Sequence, residues 1–151
     1  MKNAKILIAE DNELSRDNLS ELLRNHGCEV TAVEDGRQAM DAFIEDKFDL
    51  VITDLKMPNI DGLQLLEFVQ EISPENIVII ITGHGTINTA VAAIKLGAFD
   101  YITKPLKDDL VTLTIERALS YAKLRQENIA LKRSLKKRYD FDNMIGYSDG
   151  M

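Results

Sequence analysis

Glu10, Asp11 and Asp54 supply three carboxylates, Thr82 a hydroxyl and Lys104 an ammonium group, each just after or at the end of a short apolar run. If the chain folds so that these ends meet, the carboxylates repel one another. Their pKa values then rise unless a cation sits among them. A hard, oxygen-seeking ion answers this, and Mg²⁺ suits it because it takes few protein carboxylates and keeps positions for water and phosphate oxygens. Glu10 and Asp11 would hold the ion, Asp54 would share it, and the Lys56 carbonyl is the expected backbone ligand. A carboxylate can also act as a nucleophile and form an acyl phosphate. Charge on transferring phosphoryl oxygens must be neutralised from several sides. Mg²⁺, Lys104 and Thr82 would each serve one side, and Gly83 would leave space and a backbone N–H.

These groups need a scaffold that brings strand ends together. The pattern predicts strands over 5–9, 29–33, 48–53, 77–81 and 99–103. Between them, helical spacing of apolar residues predicts helices over 14–25, 36–46, 61–72 and 86–96, then a long one over 108–138. The run 77–81 (IVIII) is the most apolar and is expected to lie centrally, covered on both faces. Alternation of five strands with five helices specifies a parallel α/β sheet. In such sheets the ligand site lies outside the carboxyl ends of the strands.

At this point the sequence resembles the receiver family of response regulators over residues 1–120. The matching residues are Glu10-Asp11, Asp54 with Met57-Pro58 and Asp61-Gly62, Thr82-Gly83, and Tyr101 with Lys104-Pro105. The resemblance implies a flavodoxin-like, doubly wound five-stranded parallel sheet of order 2-1-3-4-5. It implies Asp54 as phosphoacceptor, Glu10 and Asp11 as metal-binding acids, and Lys104 as the lysine that contacts the phosphoryl group. It implies Thr82 and Tyr101 as a switch pair and a cis bond before Pro105. It also implies a sensor histidine kinase as donor, and slow hydrolysis catalysed by the receiver itself. Glu10 stands where many members carry a second Asp, and Asn12 where an acid is frequent. Plainer roles exist for each residue: Asp as a cap, Thr as a turn residue, Tyr as strand packing, His84 as a solvent-facing loop residue. The five groups in order, each at a strand end, favour the receiver reading over these.

Composition narrows the class. Residues 1–120 carry 11 basic and 21 acidic side chains, a net −10 that argues against non-specific nucleic-acid binding by this part. Residues 121–139 carry 7 basic side chains and 1 acid, which reads as a solvated helix face. The single cysteine, Cys28, excludes an internal disulfide and reads as a buried thiol. No stretch has the form of a signal peptide or a membrane span, so a soluble, cytoplasmic protein is expected.

The final helix outlasts a receiver. Tyr121, Leu124, Asn128, Leu131 and Leu135 recur by threes and fours, with Asn128 at an a-type position. That stripe predicts a dimerising linker over 121–138. Residues 139–151 follow, of which 141–151 resemble the opening of the ATPase domain of sigma-54-dependent activators of the nitrogen-regulator type. No GxxxxGK loop and no helix-turn-helix pattern occurs in the sequence. The expectation is a truncated regulatory piece that itself neither hydrolyses ATP nor reads DNA. Its parent would join an ATPase domain to sigma-54 RNA polymerase. A stand-alone or phosphorylation-independent receiver-like interaction module is the alternative.

Overall fold

A computed structural model describes residues 3–83 and 87–145, with backbone alone for residues 87, 129 and 132–145. The strands are β1 (Lys5–Ala9), β2 (Glu29–Val33), β3 (Leu50–Asp54), β4 (Ile77–Thr82) and β5 (Asp100–Thr103). The helices are α1 (Glu13–Asn25), α2 (Gly36–Glu45), α3 (Gly62–Ile72), α4 (Ile87–Lys95) and α5 (Asp108–Ile145). The sheet is parallel throughout, in the order β2-β1-β3-β4-β5.

Strand burial agrees with that order. All five residues of β3 and all six of β4 are buried, as interior strands covered on both faces require. β2 and β5 expose alternate residues and form the edges. The apolar run in β4 is therefore interior, as expected, but the geometric centre is β3. β3 also begins two residues later than the sequence pattern suggests, at Leu50, because Phe48 and Asp49 serve other contacts. The Asp49 carboxylate accepts the Lys5 backbone N–H at 2.8 Å, and the Phe48 carbonyl accepts from Asn76 Nδ2 at 3.0 Å.

Side chains alternate across the sheet. Leu7, Ala9, Val51, Val78 and Ile80 pack with Ala39 and Phe43 of α2, Leu65, Leu66 and Val69 of α3, and Ala93 of α4. Ile6, Ile8, Ile52, Ile79 and Ile81 point to the opposite face, where Leu19 and Leu23 of α1 and Val111, Ile115 and Ala118 of α5 are buried. Cys28 is buried, as its composition suggested.

Helix starts fall beside the strand ends, and polar side chains fix them. Asn12, Asp35 and Asp61 cap α1, α2 and α3, each accepting a backbone N–H from the first turn. Asp61 and Gln64 form a reciprocal capping box.

The chain divides into the units Met1–Leu119 and Ser120–Met151. In the second, α5 continues to Ile145, seven residues past the expected stop at 138. Tyr121, Leu124, Asn128 and Leu131 are exposed there. The Leu135 side chain and residues 146–151, which carry most of the ATPase-like stretch, lie outside the described residues.

Candidate functional site

The carboxyl ends of β1, β3, β4 and β5 converge on one rim. Register places Ala9 beside Thr53, Asp54 beside Ile81, and Thr82 beside Thr103. Glu10 and Asp11 leave β1 one step later. Lys104 follows β5, and its backbone N–H donates to the Thr82 carbonyl at 2.8 Å. The Lys104-Pro105 bond is cis, as the resemblance implied.

Lys104 Nζ lies 2.8 Å from Asp54 Oδ2 and donates a hydrogen bond to it. The same ammonium lies 2.8 Å from Glu10 Oε1, but that contact lacks hydrogen-bond alignment, and the buried Oε1 has no directed donor. Glu10, Asp11 and Asp54 each offer a carboxylate oxygen, all within 4.8 Å of one another. Glu10 and Asp54 are buried, whereas Asp11 is exposed. The rim therefore gathers the three acids and the ammonium, with its mouth open at Asp11.

Burial, then the adjacent Asp54 carboxylate, pushes the Glu10 pKa up to about 7; the nearby Lys104 opposes this. Burial disfavours the charged form of Lys104, but Asp54 and Glu10 outweigh it and raise its pKa, so the ammonium stays charged. Two buried acids share the single Lys104 ammonium, and their remaining mutual repulsion is what a bound cation would relieve. Three oxygen donors on a partly open rim suit Mg²⁺, and the fit is good on this chemistry.

This shift has a consequence for the metal-free protein. A carboxyl whose folded pKa is raised contributes stability below the unfolded carboxylate range and loses it as pH rises through the folded value. Glu10→Gln is therefore expected to be more stable than wild type at about pH 8 in chelator, by about 1 kcal/mol or more, and to match it only below the unfolded carboxylate range, near about pH 4. Thermal unfolding at the two pH values checks this. A variant less stable than wild type at the higher pH would contradict the electrostatic account.

Thr82 is buried on β4 beside the site, and Gly83 after it faces open space: an added Cβ would meet nothing within 4 Å. Tyr101 is on the edge strand β5 with its ring exposed, 37% accessible. His84 lies outside the described residues. Asn12, at the position where an acid is frequent, accepts the Ser15 N–H as cap of α1, while its own N–H donates to Glu10 Oε2 at 3.2 Å. Lys56 is exposed on the loop after β3, where its N–H lies 3.4 Å from Asp54 Oδ1.

Two contributors escape sequence reasoning. Arg16 Nη1 donates to the Glu10 carbonyl at 3.1 Å and braces the turn that carries the acids. Gly62 packs so closely beneath Asp54 that an added Cβ would collide with the Asp54 carbonyl and lie 2.9 Å from Leu55 Cα. The Asp61-Gly62 pair signals a helix start, but nothing local shows what that start packs against.

A five-stranded parallel sheet of this order, with paired acids, a strand-end Asp and an opposed lysine, defines the class of receiver folds. Comparison with known proteins agrees. The family model described as response regulator receiver domain matches residues 6–116, and the chain belongs to that family. A putative response regulator NtrX-like protein of Rickettsia felis is 40% identical over 134 residues, covering 87% of this chain and 28% of that protein. The C4-dicarboxylate transport transcriptional regulatory protein DctD of Pseudomonas aeruginosa is 35% identical over 148 residues, 97% of this chain and 32% of that protein. Among solved structures, NtrX from Brucella abortus in complex with ADP aligns with a TM-score of 0.83 at 38% identity, covering 85% of this chain and 30% of that one. A receiver domain protein from Clostridium thermocellum aligns at 0.77 and 36% identity, covering 80% and 98%. The chain spans about three-tenths of the length of the curated relatives it first matches. No helix among the described residues is long and apolar enough to cross a membrane.

Proposed function

We propose that Asp54 accepts a phosphoryl group from a sensor histidine kinase, with Mg²⁺ held by Glu10, Asp11, Asp54 and the Lys56 carbonyl. The observation that carries this reading is the Lys104 ammonium 2.8 Å from Asp54 Oδ2, opposite acid oxygens that all lie within 4.8 Å of one another. An Asp54 carboxylate oxygen attacks phosphorus while the bond from phosphorus to the donor breaks. The bonding electrons leave with the donor, an imidazole nitrogen for a phosphohistidine. Lys104 stays beside the phosphoryl charge, and the Thr82 hydroxyl donates to a phosphoryl oxygen from the β4 side. Mg²⁺, when bound, supplies positive charge to the phosphoryl oxygens. Thr82 and Tyr101 then serve as the switch pair, the exposed ring turning inward as the hydroxyl moves to the phosphate.

In this reading the kinase would dock beside the site. A groove beside Lys104 is lined by Ser15, Asn18 and Leu22 of α1 and by Pro105 and Leu106 of the loop after β5. Incubation with acetyl phosphate is expected to add one phosphoryl mass in Mg²⁺ and none in chelator. Equal labelling without the metal would count against the metal assignment. Sustained turnover of phosphoesters would instead favour a hydrolase working through an aspartyl phosphate.

The parent is read as a cytoplasmic sigma-54-dependent transcription activator of the nitrogen-regulator type. The resemblance of residues 141–151 and the relatives named NtrX-like and DctD support this. In that reading residues 1–120 are the receiver, 121–138 the dimer linker and 139–151 the start of the ATPase domain. The exposed Leu124 and Leu131, 65% and 63% accessible, support pairing of this helix with a second copy. Leu124→Lys with Leu131→Lys is expected to shift the sedimenting species from dimer to monomer. An unchanged dimer would remove the linker from the interface.

A further inference from the structure

We propose that Gly36 and Asp35, at the start of α2, are positioning residues that set the loop after β3 and so the metal site. This rests on the reading of Lys56 as a backbone metal ligand. The loop 55–61 carries no regular structure, yet it must hold one carbonyl at a fixed place beside Asp54. Its base is closed by Gly62 N–H donating to the Leu55 carbonyl at 2.9 Å. Its far part, Asn59 and Ile60, is held from the start of α2.

Two contacts do this. Gly36 faces Ile60 so closely that an added Cβ would collide with the Ile60 carbonyl oxygen and lie 2.7 Å from Ile60 Cβ. The obstacle is backbone and a branched Cβ, neither of which can rotate away, so the loop itself would have to move. Asn59 stands next to that contact in the left-handed region, φ 69°. Its Nδ2 lies 3.4 Å from Asp35 Oδ2, while Asp35 Oδ1 accepts the Gln38 N–H as cap of α2 at 2.8 Å. One carboxylate thus ties the strained point of the loop to the helix start that Gly36 makes approachable. Neither contact touches Lys56, so both act on its carbonyl through the loop backbone; loss of direct outer partners of a metal ligand typically weakens binding by about 10–100-fold, and the lower end of that range is expected here.

The test is calorimetric Mg²⁺ titration of the metal-free protein, with unfolding in chelator measured on the same samples. Gly36→Ala is expected to bind Mg²⁺ about tenfold more weakly than wild type while still unfolding cooperatively. Asp35→Ser keeps a capping oxygen but is too short to reach the Asn59 amide. It is expected to weaken binding in the same direction while α2 stays capped. A purely structural role would lower the unfolding temperature and leave the affinity of the folded protein unchanged. Wild-type affinity in both folded variants would overturn the inference, and if Gly36→Ala fails to fold, Asp35→Ser decides alone. Absence of Mg²⁺ binding by the wild type would overturn the metal reading itself, and this inference with it.

Discussion

Replacing Asp54 with Asn is expected to lower Mg²⁺-dependent labelling by acetyl phosphate by at least about a thousandfold, to background. The amide keeps the size of the side chain but has no anionic oxygen to bond to phosphorus. The fold is expected to survive, because the substitution removes one of two buried acids that face each other. Asp54 lies at the end of the fully buried β3, with Glu10 and Lys104 as its charged neighbours. Intact protein mass after exposure to the donor reads the effect directly. Labelling retained at another residue would move the acceptor away from Asp54.

The second large effect is at Lys104. Lys104→Met is expected to slow labelling by about a hundredfold or more, the scale of losing one preorganised charge at a site where charge develops. Methionine preserves length and apolar stem but removes the ammonium 2.8 Å from both Asp54 and Glu10. The two buried acids then face each other without their cation, which pushes the Glu10 pKa higher still, so the metal-free variant is also expected to unfold more easily, most of all at alkaline pH where both acids are forced to ionise. Raising Mg²⁺ is expected to recover the stability but not the rate. Lys104→Arg is expected to recover only part of the rate, since a planar fork does not occupy the place of a compact ammonium. A Lys104→Met rate within twofold of wild type would show that this charge contributes little to transfer.

Much of this arrangement was legible in the sequence because its causes are local. Runs such as Ile77–Thr82 state by composition that they are covered on both faces, and period-3.6 segments state where helices lie. Once the strands were counted, Glu10, Asp11, Asp54, Thr82 and Lys104 all fell at strand ends, and a parallel sheet sends those ends to one rim. The strand order itself came from the resemblance, since periodicity alone does not choose among crossovers. Composition alone marks β4 as interior but does not place it relative to β3. Hydrophobicity ranks β4 first, but position in the sheet depends on which strands pair, and β3 holds the middle.

What stayed hidden are contacts between elements. Gly36 reads as a good first residue for a helix after Asp35, and nothing nearby reveals that Ile60 will press against it. Asn12 stands where an acid is frequent, and what the sequence does not show is that its side chain caps α1. The end of the last helix was placed too early, since the charged run through 138 carries no breaker and the backbone continues helical to Ile145.

The most direct test is to locate the phosphoryl group. Protein treated with acetyl phosphate and Mg²⁺, then with borohydride, converts an aspartyl phosphate to homoserine at the modified position. Peptide mapping is expected to find that conversion at Asp54 and to lose it when Mg²⁺ is chelated. Conversion at Asp11 or any other acid, or none in folded, metal-loaded protein, would contradict the account.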